Sequence, residues 1–309
     1  MDLDTKTIEY YKKLEGDFGV FVRENVDLRN GCVKMDENGR CPFLNRNNLC
    51  DIILNCGEEH ISYICTHHPR FYNEFSNFTE MGMGLCCEEA ARLLMSGNIR
   101  IEKEDNYGPL HVFRNELMEM ILCNRFSLKE KVYYFLDLCC EADDYIFNGK
   151  SRELSCIINK YDFKSLKGNG IKVSKLLEIA EKTEPIDKKW KNRLKHVAGD
   201  CRKIEANINE VVEINKDRYE RLFYYYTFRY LISEDYGEEI LANAKLIIFL
   251  LYLNIIFDTV SYADGEKDFN PNTILISKQM EYSEDNICFL LACSYDDPAL
   301  SFSNLVGEE

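Results

Sequence analysis

The chain of 309 residues has no surplus of basic side chains: 38 Lys and Arg stand against 53 Asp and Glu, a formal charge of −15. Binding to phosphate backbones or anionic headgroups draws on clustered cations, so neither a nucleic-acid nor a membrane partner is expected. A long uninterrupted apolar run is missing too. The longest, Leu246 to Phe257, contains Asn254 and falls short of the roughly 20 residues of a bilayer span, which predicts a buried core helix. Met1 to Glu15 alternates in charge, with no apolar stretch before a small-residue cleavage site, so the expected location is cytoplasmic. No internal repeat and no low-complexity tract is visible. Nor does a hydrophobic strand lead into a Gly-x-Gly-x-Gly loop; Gly168-Asn169-Gly170 precedes a helical pattern and reads as a plain turn.

What the chain does have is cysteine. Fourteen cysteines without an export signal point to thiols and metal ligation, not to a disulfide framework. Seven fall in the first hundred residues, among the turn-forming clusters Arg29-Asn30-Gly31, Glu37-Asn38-Gly39 and Asn45-Arg46-Asn47-Asn48. Cys41, Cys50, Cys65 and Cys87 are separated by 8, 14 and 21 residues, and no Cys-x-x-Cys pair occurs. Four thiolates complete a tetrahedral zinc site or hold a cubane cluster, and residue types alone leave zinc and iron–sulfur both open. With this spacing the ligands can meet only through tertiary structure. Gly39, Pro42, Pro69, Gly82 and Gly84 supply turns beside them that aim backbone N–H groups at sulfur. Cys87 is expected at the N-terminus of a helix through Met95, where a thiolate is stabilised. Cys32, Cys56 and Cys86 are spares that could substitute or hold a second site. The other seven lie in helical patterns and are expected to be buried thiols.

The periodicity predicts a mainly α fold: a loop-rich cysteine-containing region, residues 1–100, packed on an all-α helical bundle, residues 101–309. Expected helices include Val112–Asn124, Leu128–Phe147, Ser151–Lys160, Lys189–Asn207, Val211–Ile232, Tyr236–Ala263 and Ile274–Ala292. Charge is uneven. Between Lys150 and Lys203 there are 15 Lys and Arg against 7 Asp and Glu, and from Asp258 to Glu309 there are 2 against 11. Two solvated faces of opposite sign follow, the acidic one suited to steering a Lys-bearing protein.

The run Gly39-Arg40-Cys41-Pro42-Phe43-Leu44, followed by Asn48-Leu49-Cys50, Gly57-Glu58-Glu59, Cys65, Pro69-Arg70 and Cys87-Glu88-Glu89-Ala90-Ala91-Arg92-Leu93, resembles the flagellin lysine-N-methylase family. The stretches Tyr224–Tyr230 and Tyr282–Asn286 are similar to its aromatic and Ser-Glu-Glu-Asn segments. The resemblance implies methyl transfer from S-adenosylmethionine to lysine side chains of flagellin by a protein carrying a [4Fe-4S] cluster. It implies Cys41, Cys50, Cys65 and Cys87 as ligands, and Arg70 as the Arg of the Cys-x-x-x-Pro-Arg motif. Here that motif reads Cys65-Thr66-His67-His68-Pro69-Arg70, and Glu88 replaces the usual Pro. Family members usually carry another cysteine-rich segment ahead of a stretch like Asp2 to Lys13, with which this sequence begins.

Lysine methylation by displacement needs a neutral amine, hence a desolvated pocket with a carboxylate or Tyr. Tyr224, Tyr225, Tyr226, Phe228 and Tyr230 offer either an aromatic wall for a cation or a core stripe. Arg70 is suited to hold the donor's carboxylate or to offset cluster charge. His67 and His68, close to Cys65, are candidates for a ligand or base or, more commonly beside cysteines, hydrogen-bond donors to the sulfur ligands, and His60, His111 and His196 have no partner evident in sequence. Two other readings are a noncatalytic metal carrier with four cysteine ligands, zinc or iron–sulfur, and a helical adaptor that a zinc site stabilises.

Overall fold

The computed structural model describes residues 2–37, 39–101, 108–163, 172–232, 239–301 and 304–305. The Gly168-Asn169-Gly170 turn and the expected helix start at Tyr236 lie outside them. The fold is mainly α. The chain forms two units, Met1–Phe71 and Tyr72–Glu309, so the cysteine-rich stretch spans both.

The first unit opens with α1 (Thr5–Lys13), started by the Asp4 carboxylate accepting from the Thr7 amide, and α2 (Gly16–Asn25). A two-residue ribbon follows, β1 (Val26–Asp27) against β2 (Cys32–Val33), with Val26 opposite Val33. Two short helices complete it: α3 (Asp51–Cys56), closed by Gly57, and α4 (Tyr63–His67). Its core is small, built on Tyr11, Val22, Val26, Val33, Phe43 and Ile52.

The ribbon of β3 (Arg70–Glu74) and β4 (Thr79–Met83) opens the second unit, followed by α5 (Glu88–Ser96), α6 (Pro109–Leu122) and α7 (Leu128–Phe147). A Ser127–Glu130 capping box starts α7, each side chain serving the other residue's amide. Then come α8 (Ile157–Lys160), α9 (Val173–Glu181), α10 (Lys188–Gly199), α11 (Cys201–Ile214), α12 (Lys216–Tyr230), α13 (Ile240–Ala263), α14 (Asn270–Met280) and α15 (Glu284–Asp296). The axis is α13, against which α7, α11, α12, α14 and α15 pack.

Helix α13 is long and apolar enough to cross a bilayer, which the run read from sequence was not; 89% of its most apolar window is nonetheless buried within the protein. A helix apolar on every side is a core helix when neighbours surround it. Three expected helices are each broken in two. Asp200 separates α10 from α11. Asn215 ends α11 by donating its side-chain amide to the Val211 carbonyl. Ser283 starts α15 by accepting the Asn286 amide, which divides the predicted Ile274–Ala292 helix.

The two charge-biased segments meet at a few points: Lys203 and His196 pair with Asp264 at 3.1 and 2.9 Å, and Lys182 lies 3.9 Å from Asp297.

Candidate metal centre and its surroundings

The loop from Cys41 to Cys50 is a tight reversal fixed by its own polar groups. Asn45 accepts the Asn47 and Leu49 amides on its side-chain oxygen at 2.9 and 3.1 Å, and Asn48 turns the chain at φ 59°. Across the reversal the Asn45 amide donates to the Leu49 carbonyl and the Asp51 amide to the Phe43 carbonyl, at 2.9 and 2.7 Å. The Arg40 guanidinium ties the turn from outside through the carbonyls of Leu44 and Asn45. Cys41 and Cys50 are thereby brought to one end of the loop, with Cys50 at the N-cap of α3.

Burial pushes the Cys41 thiol up, the backbone amides of Phe43 and Leu44 act against that push, and the charges of Cys65 and Cys50 add to it. Cys65 lies in the first turn of α4, whose start Ser62 caps. Asp4 fastens α4 to α1 by accepting the Tyr63 amide at 2.9 Å, and α1 carries Tyr11. The Tyr11 hydroxyl is pushed upward, first by burial and then by Cys65, Cys50, Cys56 and Cys41 in that order. Those four sulfurs therefore share one electrostatic neighbourhood in the first unit. In sequence Cys56 reads as a spare; its position at the end of a six-residue helix begun at Cys50 is the signal that could have placed it here.

The second unit carries Cys87, at the N-cap of α5 as expected, and Cys86, whose thiol burial pushes up while the Tyr282 hydroxyl hydrogen-bonds it. No disulfide joins any of the fourteen cysteines. Among the described residues, the metal-type donors gathered within 4.8 Å of one another are His196, Asp200 and Asp264, with no cysteines among them. Lys203 bridges both of those carboxylates, at 3.1 and 3.3 Å, and so supplies the cation they need.

Arg70 donates to the Thr66 carbonyl at 2.9 Å, which holds the C-terminal turn of α4 behind Cys65. His67 stacks on Tyr63 at 3.8 Å and donates from Nδ1 to the Tyr63 carbonyl. The histidines without partners in sequence have them in the fold. His60 stacks on Tyr10, His111 sits edge-on between Phe75 and Phe78, and His196 pairs with Asp264. Burial, then Arg114, holds His111 below its ordinary range.

The tyrosine stripe of α12 is core: Tyr225, Tyr226 and Tyr230 are buried. They enclose an ion pair, Arg229 with Glu281 at 2.8 Å. One Glu281 oxygen also accepts from Tyr225 and Ser277, at 2.9 and 2.8 Å, whereas the other is buried without a hydrogen-bond partner among the described residues. Helix spacing exposed the stripe in sequence; the carboxylate, fifty residues on, gave no such signal.

Comparison with family models, with characterised proteins and with solved structures finds no match to this chain.

Proposed function

We propose that this chain is an S-adenosylmethionine-dependent protein-lysine N-methyltransferase acting on flagellin and organised by a cysteine-ligated [4Fe-4S] cluster. The observation that carries the cluster is the reversal that brings Cys41 and Cys50 to one end of its loop, with Cys65 on α4, which Asp4 fastens to α1. Thiolates that share a site repel one another until a cation joins them, which is the chemistry such a group supplies. Zinc would draw thiolates to about 3.8 Å from one another given its ~2.3 Å bonds. Among the described residues no three sulfurs lie within 4.8 Å of one another, and the cubane is what the resemblance implies.

In this reading Cys41, Cys50 and Cys65 hold the cluster, with Cys87 the fourth ligand that the resemblance implies, and the cluster supplies structural order to the loops. The lysine nitrogen attacks the sulfonium methyl with its lone pair, a carbon–nitrogen bond forms, the carbon–sulfur bond breaks, and the ammonium proton leaves to a base or water. Arg70, at the foot of α4, keeps Cys65 in register. Flagellin is the partner by resemblance, and the cytoplasm, which keeps thiols reduced, is the setting.

Anaerobic purification should give brown protein with about four iron and four sulfide per chain, the stoichiometry of a cubane. Co-expression with flagellin should add mass in steps of one methyl group on lysines. Colourless protein with one zinc overturns the cluster, and full cluster occupancy with unmodified flagellin overturns the enzyme.

A further inference from the structure

The first unit holds a cleft of about 970 Å³, lined from α1, from the turn after Gly57 and from α4. Its residues take no part in the thiolate site proper, and two ring pairs form its walls. Tyr10 and His60 stack with centroids 3.9 Å apart and planes 2° from parallel. Tyr63 and His67 stack at 3.8 Å, with Tyr63 64% exposed.

Glu58 and Glu59 belong to the same lining. Gly57 sets the position of Glu59. Its φ of 99° suits glycine, and a Cβ there would meet the Glu59 carboxylate at 2.5 to 2.8 Å. The backbone thus leaves room for that carboxylate to fold back, 3.7 Å from the His60 ring. Even so, the Glu59 side chain is 73% exposed and open to a ligand.

Flat rings flanking a methylene stem, with carboxylates at its end, are the complement of an alkylammonium side chain. The lining also carries Asp4, Glu9, Lys6 and Lys13, so carboxylates outnumber lysines four to two and an anionic ligand is the less favoured. We propose that this cleft is the seat of the lysine side chain of a polypeptide substrate, its stem between the Tyr10 and Tyr63 rings and its ammonium on Glu58 and Glu59. The choice of ligand rests on the lysine-methylation reading, but binding needs neither methyl donor nor turnover.

The test is fluorescence anisotropy with cluster-loaded protein and a short labelled peptide bearing one lysine, against the same peptide with norleucine. The lysine peptide should bind at least about tenfold tighter, the effect of one well-placed charged contact. That preference should shrink as salt rises from ~50 to ~300 mM. The double variant E58Q/E59Q should lose the tenfold while its circular dichroism and visible spectrum stay unchanged. Tyr63→Ala should weaken binding severalfold. Equal binding of the two peptides, or E58Q/E59Q binding like the parent, overturns the proposal. Lysine-selective binding without methyl transfer leaves the cleft standing and removes only the enzymatic reading. Methyl transfer that E58Q/E59Q does not slow removes only the cleft.

Discussion

The two units solve stability in different ways. The second wraps an all-round apolar helix in five others and buries large side chains such as Phe249, Phe257 and Trp190. The first gathers six buried hydrophobic residues and is otherwise held by turns, caps and backbone reversals. A chain of that length buries too little apolar surface to be secure alone, so natural domains of this size recruit disulfides or metals. With no disulfide present, its cysteines are the available staple. In this protein, burial organises the second unit, whereas the first has a small core and five cysteines, for which the proposed function makes ligation the staple.

The comparison breaks most severely if ligation is not the staple. Removing the cluster by chelation under reducing conditions should abolish protection of amides in residues 1–71 while leaving α13 protected in hydrogen exchange. Cys50→Ser should do the same, whereas Cys139→Ser, in the buried α7 core, should leave the visible spectrum intact. Uniform loss or uniform retention of protection would erase the distinction.

Within the second unit, Phe249→Ala should cost about 3–5 kcal/mol in denaturant unfolding, the usual loss for an aromatic removed from a packed core. It should leave cluster absorbance unchanged. Removing Arg229 as R229M strands Glu281 in the core and should cost a similar 3–5 kcal/mol or so. The double variant R229M/E281L should recover most of that loss.

Acid should separate the two regions. Burial pushes Asp258 up to about 6 despite Arg218 at 3.0 Å, so the folded protein holds a proton there that the unfolded chain releases. Its contribution to stability therefore falls as pH rises from about 4 to 6 and is flat above, a span of up to about 3 kcal/mol. Asp258→Asn should flatten that slope. In the first unit the Tyr63 amide and Thr7 hold Asp4 down to about 2. Its contribution is present above about pH 4 and disappears as pH falls toward 2. The smallest effect expected is Asp4→Ala, near 1 kcal/mol for a lost N-cap, read as earlier unfolding of the first unit.

Local signals were legible wherever one side chain serves its own neighbourhood. The turn at Asn45–Asn48, the stop at Gly57, the start of α5 at Cys87 and the span of α7 all follow from residues within a few positions. The helix breaks at Asn215 and Ser283 were also written locally, as Asn and Ser caps, but a strong apolar periodicity ran through them and masked them. The apolar run within α13 was under-read because Asn254 looks like an interruption; buried, its side-chain amide donates to the Tyr226 hydroxyl and the Leu250 carbonyl at 2.9 Å each. The opposed charge of two segments was plain, whereas their pairing required knowing that Lys203 meets Asp264 sixty-one residues away.

By itself, then, the order of amino acids determined which segments coil into helices and where sulfur is concentrated, because caps, turns and apolar spacing act over a few residues. Tertiary structure decided which sulfurs surround Tyr11, how Glu59 comes to face two stacked rings, and which carboxylate the tyrosines of α12 enclose. Those groupings depend on chain segments meeting across long loops, and no short-range property of a residue encodes its distant neighbour.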